Sequence, residues 1–273
     1  MRCQTSTEGL SKWSIILEYS GDGFTEPRRA VFRSAAEKWA TVIQFVPGGG
    51  APGQTAGELV ISAELQSMDG AGGILGSAGP TGVWRDAPGI SYSGQMVFDI
   101  GDIDQMENDG SFEGVILHEM GHVIGVGTLW GSCSQCDSNG SAKWFCDSAT
   151  DVYNQLMGQG SGNDANIIET GFGQGTKCGH FSEDMFDDEL MTGFVSSRSM
   201  PLSKLTCASL EDIGYVVAGG MADEYTIPSQ RGASLRAPDE FRLELNDDRT
   251  TTDIVVMAPD GTTETMPGKR FRF

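Results

Sequence analysis

Residues 117–130 read LHEMGHVIGVGTLW, from Leu117 to Trp130, and the reading of this stretch decides the rest of the chain. Apolar Val115, Ile116, Val123 and Ile124 interleave with His118 and His122, which predicts a largely buried helix over Ser111–Val126, capped by Asp109 or Ser111. His118 and His122 are four apart, so both imidazoles lie on one face, one turn apart, and can grip a single ion. Glu119 then stands beside that ion, where a carboxylate can take a proton from water that zinc has acidified to a pKa of roughly 7. Five-residue patterns of this kind also arise by chance in ordinary helices. A third histidine at the commoner short spacing would fall at position 128, where Thr128 stands.

The chain holds 3 histidines, and two are in this motif. A catalytic zinc commonly takes three protein ligands plus water, so His180 is the one imidazole left to complete the set. It lies far downstream, in CGHFSEDMFDDELMTGF (residues 178–194), with Met191 shortly after it.

Around these residues the chain reads as globular. It has 273 residues, 38% of them hydrophobic, enough for one or two domains with a real core. Its 38 acidic and 18 basic residues give a formal charge of −20, which argues against nucleic acid or an anionic membrane surface as partner. Apolar runs such as Ser14–Leu17 are too short to span a bilayer, and the opening residues lack the apolar core of a signal peptide. Of the six cysteines, Cys133 and Cys136 form an isolated CxxC, and the even count in a loop-rich region points to disulfides with open connectivity. Asn139-Gly140-Ser141 adds a glycosylation acceptor triplet, and an oxidising compartment follows as the expectation.

Residues 13–19 (WSIILEY) read as a buried strand. Pro27 opens a helix whose apolar stripe runs through Val31, Ala35, Trp39, Val42 and Ile43 until Pro47 and the following glycines stop it. Residues 58–63 and 95–99 read as further strands, with the glycine-rich AGGILGSAGP between them as an edge. Ser148 caps a short helix bearing Val152, Tyr153, Leu156 and Met157, and another helix runs over Ser203–Ile213. Beyond about residue 220 the apolar density falls, and the last stretch reads as a hairpin around Pro259-Asp260-Gly261.

HEMGHVIGVGTLW followed at a distance by GHFSEDMFDDELMTGF resembles the leishmanolysin family of metzincin zinc metallopeptidases, in particular its bacterial-type secreted members. The likeness extends to AAEKWATVI, DGAGGILGSAGP, YSGQMVFD and PLSKLTCASLEDIGY, covering most of residues 13–218.

The resemblance implies an α/β (α+β) fold of metzincin type: a twisted mixed sheet with an active-site helix, an edge strand over the cleft and an irregular, disulfide-bearing lower subdomain. The catalytic domain would span residues 1–220, its upper part about 1–126 and its lower part about 127–220, with residues 221–273 as an appendage. His118, His122 and His180 would hold one Zn2+, Glu119 would be the general base, and Met191 would form a tight turn beneath the metal. Gly73, Ile74, Leu75 and Gly76 would pair with an extended protein or peptide substrate, and Phe194 would shape the pocket after the scissile bond. The tyrosine that some metzincins carry just after the methionine is missing from MTGF. The implied activity is zinc-dependent endopeptidase in a secreted, extracellular protein. Two alternatives stand beside it: an adhesion or binding module with structural zinc, and a zinc hydrolase of non-peptide amides or esters.

The acidic residues Asp99, Asp102, Asp104 and Asp109 before the helix, and Asp184, Asp187, Asp188 and Glu189 after His180, are candidates for a structural Ca2+ or for a hydrogen bond to a ligand histidine. Cys3 is expected to pair with a cysteine such as Cys207.

Overall fold

The computed structural model describes residues 10–47, 57–137, 141–158, 165–173, 175–195, 199–228, 243–245 and 253–266. After β1 (Leu10–Lys12) and β2 (Ser14–Ser20), α1 (Glu26–Val42) opens with the Thr25 hydroxyl accepting the Arg28 amide and Pro27 in the first turn. Phe32, Ala35, Ala36, Trp39 and Val42 form its buried stripe. The helix stops sooner than its periodicity predicts, because Ile43 leaves for β3 (Ile43–Pro47), whose residues find antiparallel partners in β1 and in the later residues Val216 and Val217. Ladder bonds override the local helical pattern there.

The strands β4 (Glu58–Gln66), β5 (Gly76–Trp84) and β6 (Ala87–Asp99) build the main sheet with β2. Helix α2 (Ile100–Asp109), absent from the sequence reading, follows β6; Asp99 caps it and left-handed Gly110 ends it. Next come α3 (Phe112–Ile124) and a 3-10 turn at Trp130–Ser132. The hairpin strands β7 (Ser134–Cys136) and β8 (Ala142–Trp144) lead into α4 (Asp147–Leu156) and the single-turn α5 (Glu183–Phe186). The remaining elements are β9 (Phe194–Val195), α6 (Lys204–Ile213), β10 (Val216–Val217), β11 (Leu243–Glu244), β12 (Ile254–Met257) and β13 (Thr263–Met266).

The protein is thus of mixed α/β class. Its six-stranded sheet has the order β13-β12-β5-β6-β4-β2, with β2, β4 and β6 parallel and β5 antiparallel to β6. Helix α3 packs on β5 and β6 with α1 alongside, and the Trp39 indole NH donates to the Leu117 carbonyl at 3.0 Å to lock the two helices. Phe32 sits at the centre of this layer, its ring edge-on to Phe98 and Phe112.

Two strands differ from expectation. β2 is an outer strand whose Ile15, Leu17 and Tyr19 are half-buried and whose Ile16 is exposed, because only β4 pairs with it among the described residues. β5 is covered only at its far end, where β12 lies parallel to Gly82–Trp84; along Gly76–Pro80 its one strand partner among the described residues is β6, so the expected edge lies open there. The expected hairpin forms between β12 and β13, so strands from beyond residue 221 belong to the main sheet.

Two disulfides, Cys133–Cys146 and Cys136–Cys178, tie the irregular half together, so the CxxC cysteines pair outward and not with each other. Cys207 is a free buried thiol, which sets aside its proposed pairing; Cys3 lies outside the described residues. Burial, and then nearby Glu189, push the Cys207 thiol up to about 12. The cap of α4 also differs: the Ser148 side chain does not supply it, and the Asp212 carboxylate of α6 accepts the Ser148 and Ala149 amides as well as the Trp144 indole NH. Asp212→Ala strands these three donors, and we expect a loss of about 1–3 kcal/mol in denaturant unfolding. An unchanged midpoint would show that the cap carries no weight.

Candidate metal centre

Helix α3 delivers the first two imidazoles, and its ending delivers the third to them. At the C-cap, Gly125 has φ 136°, and Gly127 follows at φ 75°, conformations that side chains other than glycine rarely adopt. A side chain at Gly127 would also run into the Gly179 carbonyl, so the turn after the helix lies directly against the segment bearing His180. That segment is held from both sides: the Glu169 amide donates to the His180 carbonyl at 2.9 Å, and the Phe181 amide to the Met191 carbonyl at 2.9 Å. Trp130 stacks on Phe181 and meets Trp144 edge-on, filling the space beneath.

The three imidazoles meet through their Nε2 atoms, at 2.9 Å for His118–His122, 3.1 Å for His122–His180 and 3.2 Å for His118–His180. Each ring turns its other nitrogen to a backbone carbonyl: His118 Nδ1 to Leu190 at 2.6 Å, His122 Nδ1 to Val126 at 2.8 Å and His180 Nδ1 to Thr176 at 2.8 Å. A carbonyl only accepts, so each Nδ1 carries the proton and each Nε2 presents a lone pair to a common point. Three lone pairs converging in a buried site repel one another unless a cation lies among them. A tetrahedral ion at about 2.0–2.1 Å from each nitrogen would set the nitrogens roughly 3.3–3.4 Å apart, close to what is seen. The donor set therefore fits a metal ion of zinc's preferences. It is also the one group of three His, Cys, Asp or Glu donors brought together among the described residues.

Glu119 lies on α3 between His118 and His122 and is 1% exposed, while His118, His122 and His180 are each 0% exposed. A Cβ placed on Gly76 would be 3.3 Å from Glu119 Oε1, so the start of β5 passes directly by the carboxylate. Met191 lies under α3: a Cβ on Gly121 would stand 2.7 Å from its sulfur, and Trp39 closes the same contact from α1. Leu75 and Gly76 are buried at the head of β5, with Gly73 and Ile74 just before them. Phe194, three residues past Met191, is buried with its ring 4.7 Å from that of exposed Phe172.

Five of the eight acidic candidates, Asp99, Asp102, Asp104, Asp109 and Glu189, have partners within the chain. Asp99 Oδ2 accepts the amides of Met68, Asp69 and Gly70, and Oδ1 that of Gly101. Asp102 Oδ1 accepts Gly72, and the Asp69 carboxylate accepts Ile74. Asp104 pairs with Arg28, and Asp109 takes the Ser111 amide. Asp99 thus uses both of its oxygens on backbone amides, while each of the three imidazoles is anchored to a backbone carbonyl. Glu189 is wholly buried and accepts from the Met191 and Ser203 amides and from the Ser203 and Thr206 hydroxyls. Desolvation raises its pKa and these hydrogen bonds oppose the rise. It fastens the Met191 turn to the start of α6.

In comparisons with known proteins, no family model matches the chain and no curated protein matches it.

Two outcomes follow from this geometry. After dialysis against a weak chelator, the wild-type chain should keep one equivalent of divalent metal, whereas His180→Ala should bind it at least about tenfold more weakly, as seen by metal analysis. Full retention would exclude His180 as a ligand. For Asp99, burial raises the pKa, but the four backbone amides outweigh it and hold the carboxyl below its usual range. A depressed folded-state pKa gives stability that is present above the unfolded value of about 3.9 and is lost as pH falls through the folded one. Asp99→Asn should therefore unfold earlier than wild type at pH 7, and the gap should narrow below about pH 4. A gap that stays constant down to pH 2 would contradict the carboxylate's role.

Proposed function

We propose that the chain is a zinc-dependent metalloendopeptidase of metzincin fold, related to the leishmanolysin family and exported to an oxidising, extracellular setting. The observation that carries the reading is the joint placement of three converging imidazole Nε2 atoms with Glu119 on the same helix and Met191 beneath it. Two disulfides support the oxidising compartment, and no helix among the described residues is long and apolar enough to cross a membrane.

His118, His122 and His180 would hold the ion. Zinc bound there supplies Lewis acidity, polarising a carbonyl and lowering the pKa of water. The chain itself supplies orientation and proton transfer. The Nδ1 anchors fix the orientation of the imidazoles and leave each Nε2 facing the ion. The Glu119 carboxylate takes one proton from the attacking water and delivers it to the nitrogen of the departing amine, so that the C–N bond breaks without releasing an amide anion. Gly76 stands beside that carboxylate, and an extended peptide pairing with Gly73, Ile74, Leu75 and Gly76 would lie with its scissile bond within reach. Phe194 walls the pocket for the following side chain. Thr192, Gly193 and Phe194 follow Met191, so no tyrosine phenol stands there to support the oxyanion.

Glu119 separates this reading from a structural zinc module, because a closed structural site has no use for a carboxylate beside its ligands. In Glu119→Ala, metal content should match wild type while hydrolysis of casein or a quenched peptide falls by about 10²–10⁴-fold. Wild-type turnover in that variant would remove the proposed base, and the peptidase reading with it.

A further inference from the structure

The last four carbonyls of a helix have no donor within the helix itself, and in α3 each of the four finds a partner elsewhere. The Gly121 carbonyl accepts the Gly125 and Val126 amides at 3.0 Å, and the His122 carbonyl accepts the Thr128 hydroxyl at 2.7 Å. The remaining two are finished by distant residues. Ser91 Oγ in β6 donates to the Val123 carbonyl at 2.8 Å, and the Tyr215 hydroxyl, just after α6, donates to the Ile124 carbonyl at 2.8 Å. The two also meet each other, since the Ser91 amide donates to the Tyr215 hydroxyl oxygen at 3.3 Å. Both are buried, and the Tyr215 ring stands edge-on to Trp13.

This pair of hydroxyls lies within two residues of a proposed metal ligand. The turn that leaves α3 contains Gly125 and Gly127, both at positive φ, and two glycines give it little stiffness of its own. Yet it carries the Val126 carbonyl, the atom that anchors His122 Nδ1 at 2.8 Å. Its path therefore depends on what holds Val123 and Ile124. Helix α6 extends the connection: Glu189 fastens its start to the Met191 turn, beside the Leu190 carbonyl that anchors His118, and its other end delivers Tyr215 to α3.

We propose that Ser91 and Tyr215 are positioning residues of the metal centre: their hydroxyls set the turn after α3 so that the Val126 carbonyl holds His122 with its Nε2 aimed at the ion. They act through the backbone and not as ligands. Burial pushes the Tyr215 phenol up to about 12, so it stays a donor throughout the neutral range. The inference rests on the three-histidine metal reading and is independent of peptidase activity.

The test compares full-length Tyr215→Phe and Ser91→Ala with wild type and with Tyr92→Phe, which removes a phenol of the same strand that donates instead to the Val255 carbonyl at 3.2 Å. Co2+ serves as the probe. Its affinity is read by competition with a chelator, and its visible absorption when bound reports the arrangement of its ligands; the denaturant midpoint of the metal-free chain reports stability. We expect Tyr215→Phe and Ser91→Ala each to bind Co2+ about tenfold more weakly and to shift its absorption, the scale of losing an outer partner of a ligand histidine, while Tyr92→Phe changes neither. Wild-type affinity and absorption in both variants would overturn the proposal, whatever their stability. An equal loss of affinity in Tyr92→Phe would overturn it too, because the effect would then follow from stability alone. A wild-type chain that takes up no Co2+ would refute the metal centre and this inference with it, a failure told apart from the first because there the wild type binds.

Discussion

Three imidazole lone pairs are aimed at one point inside the protein, and the rest of the structure is arranged to keep them there. Such a cluster does not form by attraction between its members. It persists because each ring is tied at its far nitrogen to a carbonyl of a different segment: Leu190 before the Met191 turn, Val126 in the turn after α3, and Thr176 in the loop that leads to His180. Each tie fixes a tautomer as well as a position. Because the anchors are backbone atoms, the accuracy of the site depends on the path of three chain segments rather than on neighbouring side chains.

Buried carboxylates hold those paths. Glu189 collects four donors from the Met191 turn and the start of α6, Asp99 collects four amides from the loop before β5 and its own helix start, and Asp212 collects three from α4 and β8. Each sits where a loop has no ladder of its own to satisfy its amides. The net charge of −20 is thus partly a fastening system, which composition alone would have assigned to solvent or to cations.

What could be read in the sequence follows from whether the deciding interaction is local. The α3 motif, the Gly125 ending, the Pro27 start of α1 and the hairpin at Gly261 are set by neighbours within a few residues, and all were legible. The end of α1 was not, because Ile43 and Phe45 are drawn into a strand by partners at Val217 and Lys12. Helix α2 left a readable trace, Asp99 as cap, Ile103 and Met106 as its buried side and Gly110 as its stop, which its acidic surface concealed. The roles of Glu189 and Asp212 could not be seen at all, since their partners lie far away in sequence or are backbone amides. The pairing of Cys136 with Cys178 was equally closed to inspection.

Position 128 shows how His180 can meet the α3 histidines from so far along the chain. Thr128 stands where a near histidine would be, and its hydroxyl donates to the His122 carbonyl at 2.7 Å, finishing the helix that a third ligand would otherwise have to leave abruptly. The imidazole then arrives by a long excursion through β7, β8 and α4. The entropy of closing such a loop grows only with the logarithm of its length, so doubling the excursion adds only about 0.6 kcal/mol. What a long loop lacks is accuracy at its far end. Here that is restored within a few residues of His180, by the disulfide at Cys178, by the Thr176 carbonyl on Nδ1, and by the bare Gly127 that lets the two segments touch. The excursion can therefore vary in length and content while its last five residues hold His180 to the geometry that the α3 histidines require.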